Sequence, residues 1–159
     1  MILVLLGTQN NSFTRLLDAV QENINNGTIN DEVIVQSGFT KYESKDMRFF
    51  SLIDKEEFDK IQSQADLIIC HGGVGSIVSS LKKGKKVIVV PRLKRYGEHV
   101  NSHQIQIARK FKQDGYVKYV INLKHLGKVI NEMKNFNPRK YESKENEIIK
   151  LVEKYIDNN

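Results

Sequence analysis

The chain has 159 residues, 40% of them apolar and 28% charged, with a formal charge of +6; that is enough for one compact α/β domain with its own core. The positive balance suits an anionic ligand or surface, but the basic residues are scattered and not interleaved with aromatics, which argues against a nucleic-acid binder. Cys70 is the only cysteine, so no disulfide forms within the chain, and it reads as a small buried hydrophobe in a reducing compartment.

Ile2–Leu6 is a continuous apolar run stopped by Gly7. It is too short for a membrane span and lacks the basic start of a signal peptide, so it reads as a first buried strand. The expectation is a soluble, cytoplasmic protein that reaches a membrane only through a partner. Phe13–Ile24 follows as a helix, with Phe13, Leu16, Leu17, Val20 and Ile24 on one stripe and Ser12 as its N-cap. Glu32–Gln36 and Arg48–Leu52 are the second and third strands, and Lys55–Gln64 a helix that turns Phe58 and Ile61 inward. Leu67–Cys70 is the fourth strand, and a helix runs from Gly75 to Lys83.

The fifth strand, Val87–Val90, is β-branched throughout and ends at Pro91. Ser102–Gln113 is a helix with Gly115 as its C-terminal cap, Val117–Ile121 the sixth strand, and Lys124–Lys134 a further helix. After Asn137-Pro138 comes a last amphipathic helix, Ser143–Ile156. Alternating strands and helices predict a Rossmann-like α/β fold, a parallel sheet of about six strands with helices on both faces. The natural division is a ligand-binding domain over residues 1–140 and the amphipathic segment 141–159, which could dock a partner or pack on its own domain.

In such a sheet the ligand sits outside the carboxyl ends of the strands, near the point where strand order reverses. Three loops leave those ends with polar chemistry. The first starts at Gly7-Thr8; it lacks both the dinucleotide glycine spacing and the nucleoside-triphosphate loop. The second, His71-Gly72-Gly73-Val74-Gly75-Ser76, carries more glycine than a turn requires and opens a helix, a combination that attracts phosphate. His71 and the Ser76 hydroxyl could each donate to a phosphate oxygen.

The third runs from Arg92 to Gln104, with Arg92, Lys94 and Arg95 expected on the ligand side. His103-Gln104 opens its helix, where a carboxamide can hydrogen-bond sugar hydroxyls from both ends or simply occupy an exposed first turn. Lys82, Lys83, Lys85 and Lys86 fall at the opposite end of the fifth strand and read as a solvated turn. Four histidines and one cysteine give no zinc pattern, and no Asp-x-Asp pair offers itself to a divalent ion, so no metal site and no cofactor are expected.

Gly7-Thr8 with Phe13, Ala65-Asp66 through Ser76, and Val90-Pro91 through Gln104 form an ordered set that resembles the C-terminal, donor-binding half of GT-B glycosyltransferases of family 28. The likeness covers nearly the whole chain. It is nearest in look to the small soluble subunit of two-component transferases: the Alg-type UDP-N-acetylglucosamine transferase subunit and the PssE-type subunit of bacterial exopolysaccharide and capsule synthesis. The run Tyr96–Gln104 looks like the bacterial version.

The resemblance implies an inverting hexosyltransferase subunit that binds a UDP-sugar and serves a lipid-linked acceptor. Its donor diphosphate would lie on Gly7, Thr8, His71, Gly72, Gly73, Gly75 and Ser76. His103 and Gln104 would hold sugar hydroxyls, and the backbone around Phe50 and Ile53 would meet the uracil. The relatives commonly carry a glutamate for the ribose hydroxyls where this chain has Ser79, so the sugar and ribose contacts would involve Ser79 in an altered form or move to Glu98; Arg92 could favour a sugar carboxylate. The acceptor site and any general base would come from a membrane-associated partner subunit. The rival reading is a non-catalytic nucleotide-sugar-binding or enhancer subunit.

Overall fold

The computed structural model describes residues 1–142 and shows the expected six-stranded parallel sheet. In chain order the elements are β1 (Ile2–Leu5), α1 (Thr14–Asn25), β2 (Val33–Gln36), β3 (Met47–Phe50), α2 (Lys55–Gln64) and β4 (Leu67–Cys70). Then follow α3 (Val74–Lys82), β5 (Lys86–Val89), α4 (His103–Gln113), β6 (Lys118–Tyr119) and α5 (Leu126–Glu132). Strand order is β3-β2-β1-β4-β5-β6, so the direction of winding reverses between β1 and β4.

Strand alternation divides the core in two. Ile2, Val4, Leu6, Val33, Val35, Ile69, Ile88 and Val90 face α1 and α5 on one side of the sheet. Leu3, Leu5, Ile34, Ile68, Cys70, Val87 and Val89 face the other side, where Ile77 and Leu81 of α3 and Ile107, Ala108 and Phe111 of α4 cover them. Both faces of the central strands are therefore buried, which is why these segments read as unbroken apolar runs. Cys70 lies wholly inside, and burial pushes its thiol up to about 12.

Several local expectations change. Strand ends contract: the third strand stops at Phe50 and the sixth keeps only Lys118–Tyr119. Ser12 does not cap α1; Phe13 occupies that position, with no side-chain cap, and its N–H donates to Thr40 Oγ1 at 3.0 Å. The lysine turn below β5 is not merely solvated. Lys83 reaches Asp59 at 2.9 Å, Lys85 the Ser63 carbonyl at 2.6 Å and Lys86 the Met133 carbonyl at 2.8 Å, tying α2, β5 and the end of α5 together. The helix Ser143–Ile156 lies outside the described residues. No helix among those described is long and apolar enough to cross a membrane.

Candidate functional site

Where winding reverses, the chain leaves β1 and β4 in opposite directions and a crevice opens between their loops. It is a cavity of about 400 Å³ lined by Gly7, Thr8, Gln9, Gln36, Phe58, His71, Gly73, Gly75, Ser76 and Gln104. The loops after β1 and β4 thus meet as expected, and the start of α4 closes the site from above.

Two glycines are dictated by His71. Gly7 sits at φ +83°, and a Cβ there would fall 2.7 Å from His71 Nε2. A Cβ on Gly73 would fall 2.2 Å from His71 Cε1. Gly75 has open space in place of a side chain, so its freedom serves the cavity and not the turn. The Gly73 N–H donates to His71 Nδ1 at 3.1 Å, which puts the imidazole proton on Nε2, 3.2 Å from Ser76 Oγ. Burial, then the positive charge of Arg92 and that of His99, hold the His71 pKa down at about 4. At neutral pH the ring is therefore an uncharged N–H donor at the cavity wall.

α3 begins at Val74, and its first helical acceptor is the Gly73 carbonyl, taken by Ile77 N–H at 3.2 Å. The amides of Gly75 and Ser76 in the first turn have no intrahelical carbonyl and sit at the positive end of the helix dipole. Neutral imidazole, hydroxyl and helix amides converge on one space. They suit a polyanion that must be gripped without a counter-charge in direct contact.

Gln104 is reached, but in a different role from the expected sugar contact. It is buried, and its Oε1 accepts both the Gly72 N–H and the Arg92 N–H, each at 2.9 Å. One carboxamide oxygen thereby pins the glycine turn to the loop after β5. Its Nε2 lies 3.5 Å from His71 Nδ1, on the cavity side. His103 diverges from it: its N–H donates to Asn101 Oδ1 at 3.0 Å, and its side chain does not line the cavity.

Arg92, Glu98 and Ser79 correct the sequence reading. Arg92 has no exposed surface. Its guanidinium donates to the Leu6 carbonyl at 2.7 and 3.2 Å, to Asn11 at 2.7 Å and to Glu98 O at 2.9 Å, so it cannot meet a sugar carboxylate. The Glu98 carboxylate is equally committed. It accepts from Arg15 Nε and Nη2 at 2.9 and 3.0 Å and from the Leu93 N–H at 3.0 Å, and it is buried and absent from the cavity lining, out of a ribose's reach. Ser79 Oγ donates to the Ser76 carbonyl at 3.2 Å and accepts from Gln62 Nε2 at 3.1 Å, inside the helix packing and away from the cavity.

On the far side, Phe50 is half-buried and stands edge-on to Phe58, with ring centroids 6.4 Å apart. Its carbonyl already accepts from Ser37 N–H and Oγ, at 2.9 and 3.2 Å. Phe58, not Phe50 or Ile53, reaches the cavity wall. Gln36 is a lining residue that the sequence reading passed over; its Oε1 accepts the Gly7 N–H at 3.3 Å. A glutamine ending an otherwise apolar parallel strand was the available signal. No cluster of metal-ligating side chains occurs among the described residues.

Comparison with known proteins identifies the family and the fold. Residues 1–158 match the model of the glycosyltransferase family 28 C-terminal domain. Similar curated proteins are named UDP-N-acetylglucosamine transferase subunit ALG13. The human protein is 36% identical over 98 residues, covering 60% of this chain and 7% of that one. The Candida albicans protein is 27% identical over 112 residues, covering 70% and 36%. The chain thus spans well under half the length of these relatives. An NMR solution structure of ALG13 superposes with a TM-score of 0.59 at 22% identity, covering 89% of each chain. Acinetobacter baumannii MurG superposes at 0.53 and 19% identity, over 83% of this chain and 41% of that one. At such identities these superpositions speak for the fold. On the family match, which takes in almost every residue, the chain belongs to the glycosyltransferase family 28 C-terminal domains.

Proposed function

We propose that the chain is the donor-binding subunit of an inverting glycosyltransferase and holds the diphosphate of a UDP-sugar in the crevice between β1 and β4. The observation that carries this reading is the convergence of the neutral His71 Nε2–H, the Ser76 hydroxyl and the first-turn amides of α3 on one cavity. In the reaction, an acceptor hydroxyl attacks the anomeric carbon from the face opposite the diphosphate, and the bond to the β-phosphate oxygen breaks. Negative charge grows on that oxygen as UDP leaves. Donors fixed beforehand stabilise it more in the transition state than in the ground state. No metal is needed for that step.

N-acetylglucosamine is the sugar carried in the names of similar proteins, and it is the first to test. The bacterial exopolysaccharide or capsule setting rests on the run Tyr96–Gln104 alone. The acceptor, a lipid-linked glycan, and the general base belong in this reading to a membrane-associated partner that holds the subunit at the cytoplasmic face. The word subunit in the names of similar proteins supports such a division of labour.

Calorimetry with UDP, UDP-N-acetylglucosamine, UDP-galactose and UDP-glucuronic acid tests the site. Binding of UDP, weakened at least tenfold by S76A together with H71N, is the expected result; no binding of any of them rejects the reading. Reconstitution with the partner separates a catalytic from an accessory role. If the partner alone transfers sugar at full rate, this chain is not the donor subunit.

A further inference from the structure

Arg92 is a buried cation without a carboxylate of its own. Every hydrogen bond of its guanidinium goes to a backbone carbonyl, and two of them converge on Leu6 O, the last carbonyl before Gly7. The neighbouring carboxylate, Glu98, is held by Arg15. Two guanidiniums therefore share one carboxylate, which leaves one net positive charge beneath the carboxyl ends of β1 and β5. Burying an uncompensated charge is costly, and such arrangements concentrate where charge is needed.

Its position is tied to the donor crevice from two directions. Through Leu6 O it fixes the end of β1, from which Gly7 turns with its Cα against the His71 ring. Through its own N–H it shares Gln104 Oε1 with Gly72. The Phe13 ring, 5.0 Å from the guanidinium, supplies an apolar wall with a negative face toward the cation.

Resting on the donor-site reading above, we propose that Arg92 is a positioning residue for the donor's diphosphate: without touching the ligand, it holds the Gly7 turn against His71 and supplies the permanent positive charge that the crevice lacks at its surface. A charge enclosed by protein acts through a low dielectric and is not displaced by water when the ligand enters. The positive neighbour also disfavours the imidazolium form of His71, which keeps Nδ1 free to accept the Gly73 amide.

The test compares UDP with UMP, which carries less negative charge, on wild type, R92K and R92Q. In R92K the charge stays while the forked contact with Leu6 O is lost; both ligands should weaken by about the same factor, leaving their ratio within about threefold of wild type. R92Q removes the charge, and UDP should weaken about tenfold more than UMP. An unchanged ratio in R92Q overturns the electrostatic role, and unchanged affinities in both variants overturn the positioning role. Failure of wild type to bind UDP rejects the donor-site reading instead.

If neither variant folds, wild type labelled at arginine nitrogen decides. The Arg92 Nε–H resonance should be slow to exchange and should shift on addition of UDP but not of uridine. A rapidly exchanging or unmoved resonance overturns the proposal.

Discussion

His71 Nδ1 accepts the amide of Gly73, two residues further on, at 3.1 Å, and this short internal bond decides which end of the imidazole faces the crevice. An asparagine at position 71 can offer its Oδ1 to the same amide but has nothing to place where Nε2–H stands. H71N should keep the turn and the fold while UDP affinity falls about tenfold or more, the cost of one hydrogen bond to a charged group. Titration calorimetry beside a thermal melt checks both halves.

The same residue predicts a dependence on pH. Its pKa in the fold, about 4, lies below the ordinary value of 6.5, so the unfolded chain binds the extra proton first as pH drops. Stability from this group is whole above pH 6.5 and is lost as pH falls from there toward 4. Over that window wild type should lose about 3 kcal/mol more than H71N. Urea unfolding of both proteins at a series of pH values measures the difference, and parallel curves would contradict it.

Gly75 separates stability from binding. A methyl group there meets no protein atom, and alanine is the better helix former. G75A should gain up to about 0.5–1 kcal/mol of stability and yet bind UDP more weakly, because the methyl enters the cavity. A melt and a binding isotherm on one preparation suffice. Tighter binding would mean that the ligand does not approach this turn.

Gln104 should behave as a clamp. Q104A orphans two buried amides, those of Gly72 and Arg92, at a cost of about 2–4 kcal/mol. Q104E restores an acceptor and most of the stability at neutral pH but brings a negative charge to the crevice. UDP affinity in Q104E should stay well below wild type although the melting temperature recovers. Recovery of both would reduce Gln104 to a structural part.

Cys70 offers a readout of unfolding. Buried, with its thiol pushed up to about 12, it should resist a maleimide reagent in native buffer and react fully in denaturant. Fast labelling of the native protein would show that the carboxyl end of β4 opens locally.

Most of the sheet could be read from the sequence because parallel strands buried on both faces are written as plain apolar runs: Ile2–Leu5, Leu67–Cys70 and Val87–Val89 need no partner to be recognised. The glycine turn was legible for a similar reason, since a local backbone demand leaves a local mark. Arg92 and Glu98 are misread from sequence, and the clamping bonds of Gln104 missed, because they are set by partners 86, 83 and 32 residues away, Leu6, Arg15 and Gly72. A polar residue at the carboxyl end of a strand faces either the ligand or the neighbouring loop, and spacing does not tell these apart. Ser12 does not cap because the helix starts one residue later, with Phe13 in the cap position and its amide held by Thr40, from a loop remote in sequence.

β1 and β4 are the two central strands of the six, and the crevice hangs from their ends. Inner strands open last when amide protons exchange with solvent, so the ends of β1 and β4 belong to the slowest-opening backbone of the molecule, whatever the loops beyond them do. On the donor-site reading, a nucleotide arriving there would find the two strands that anchor its loops already set by folding. Little order would remain to be imposed on those anchors, so its residence time would be set by the contacts it makes and by the loops, not by rebuilding the sheet beneath them.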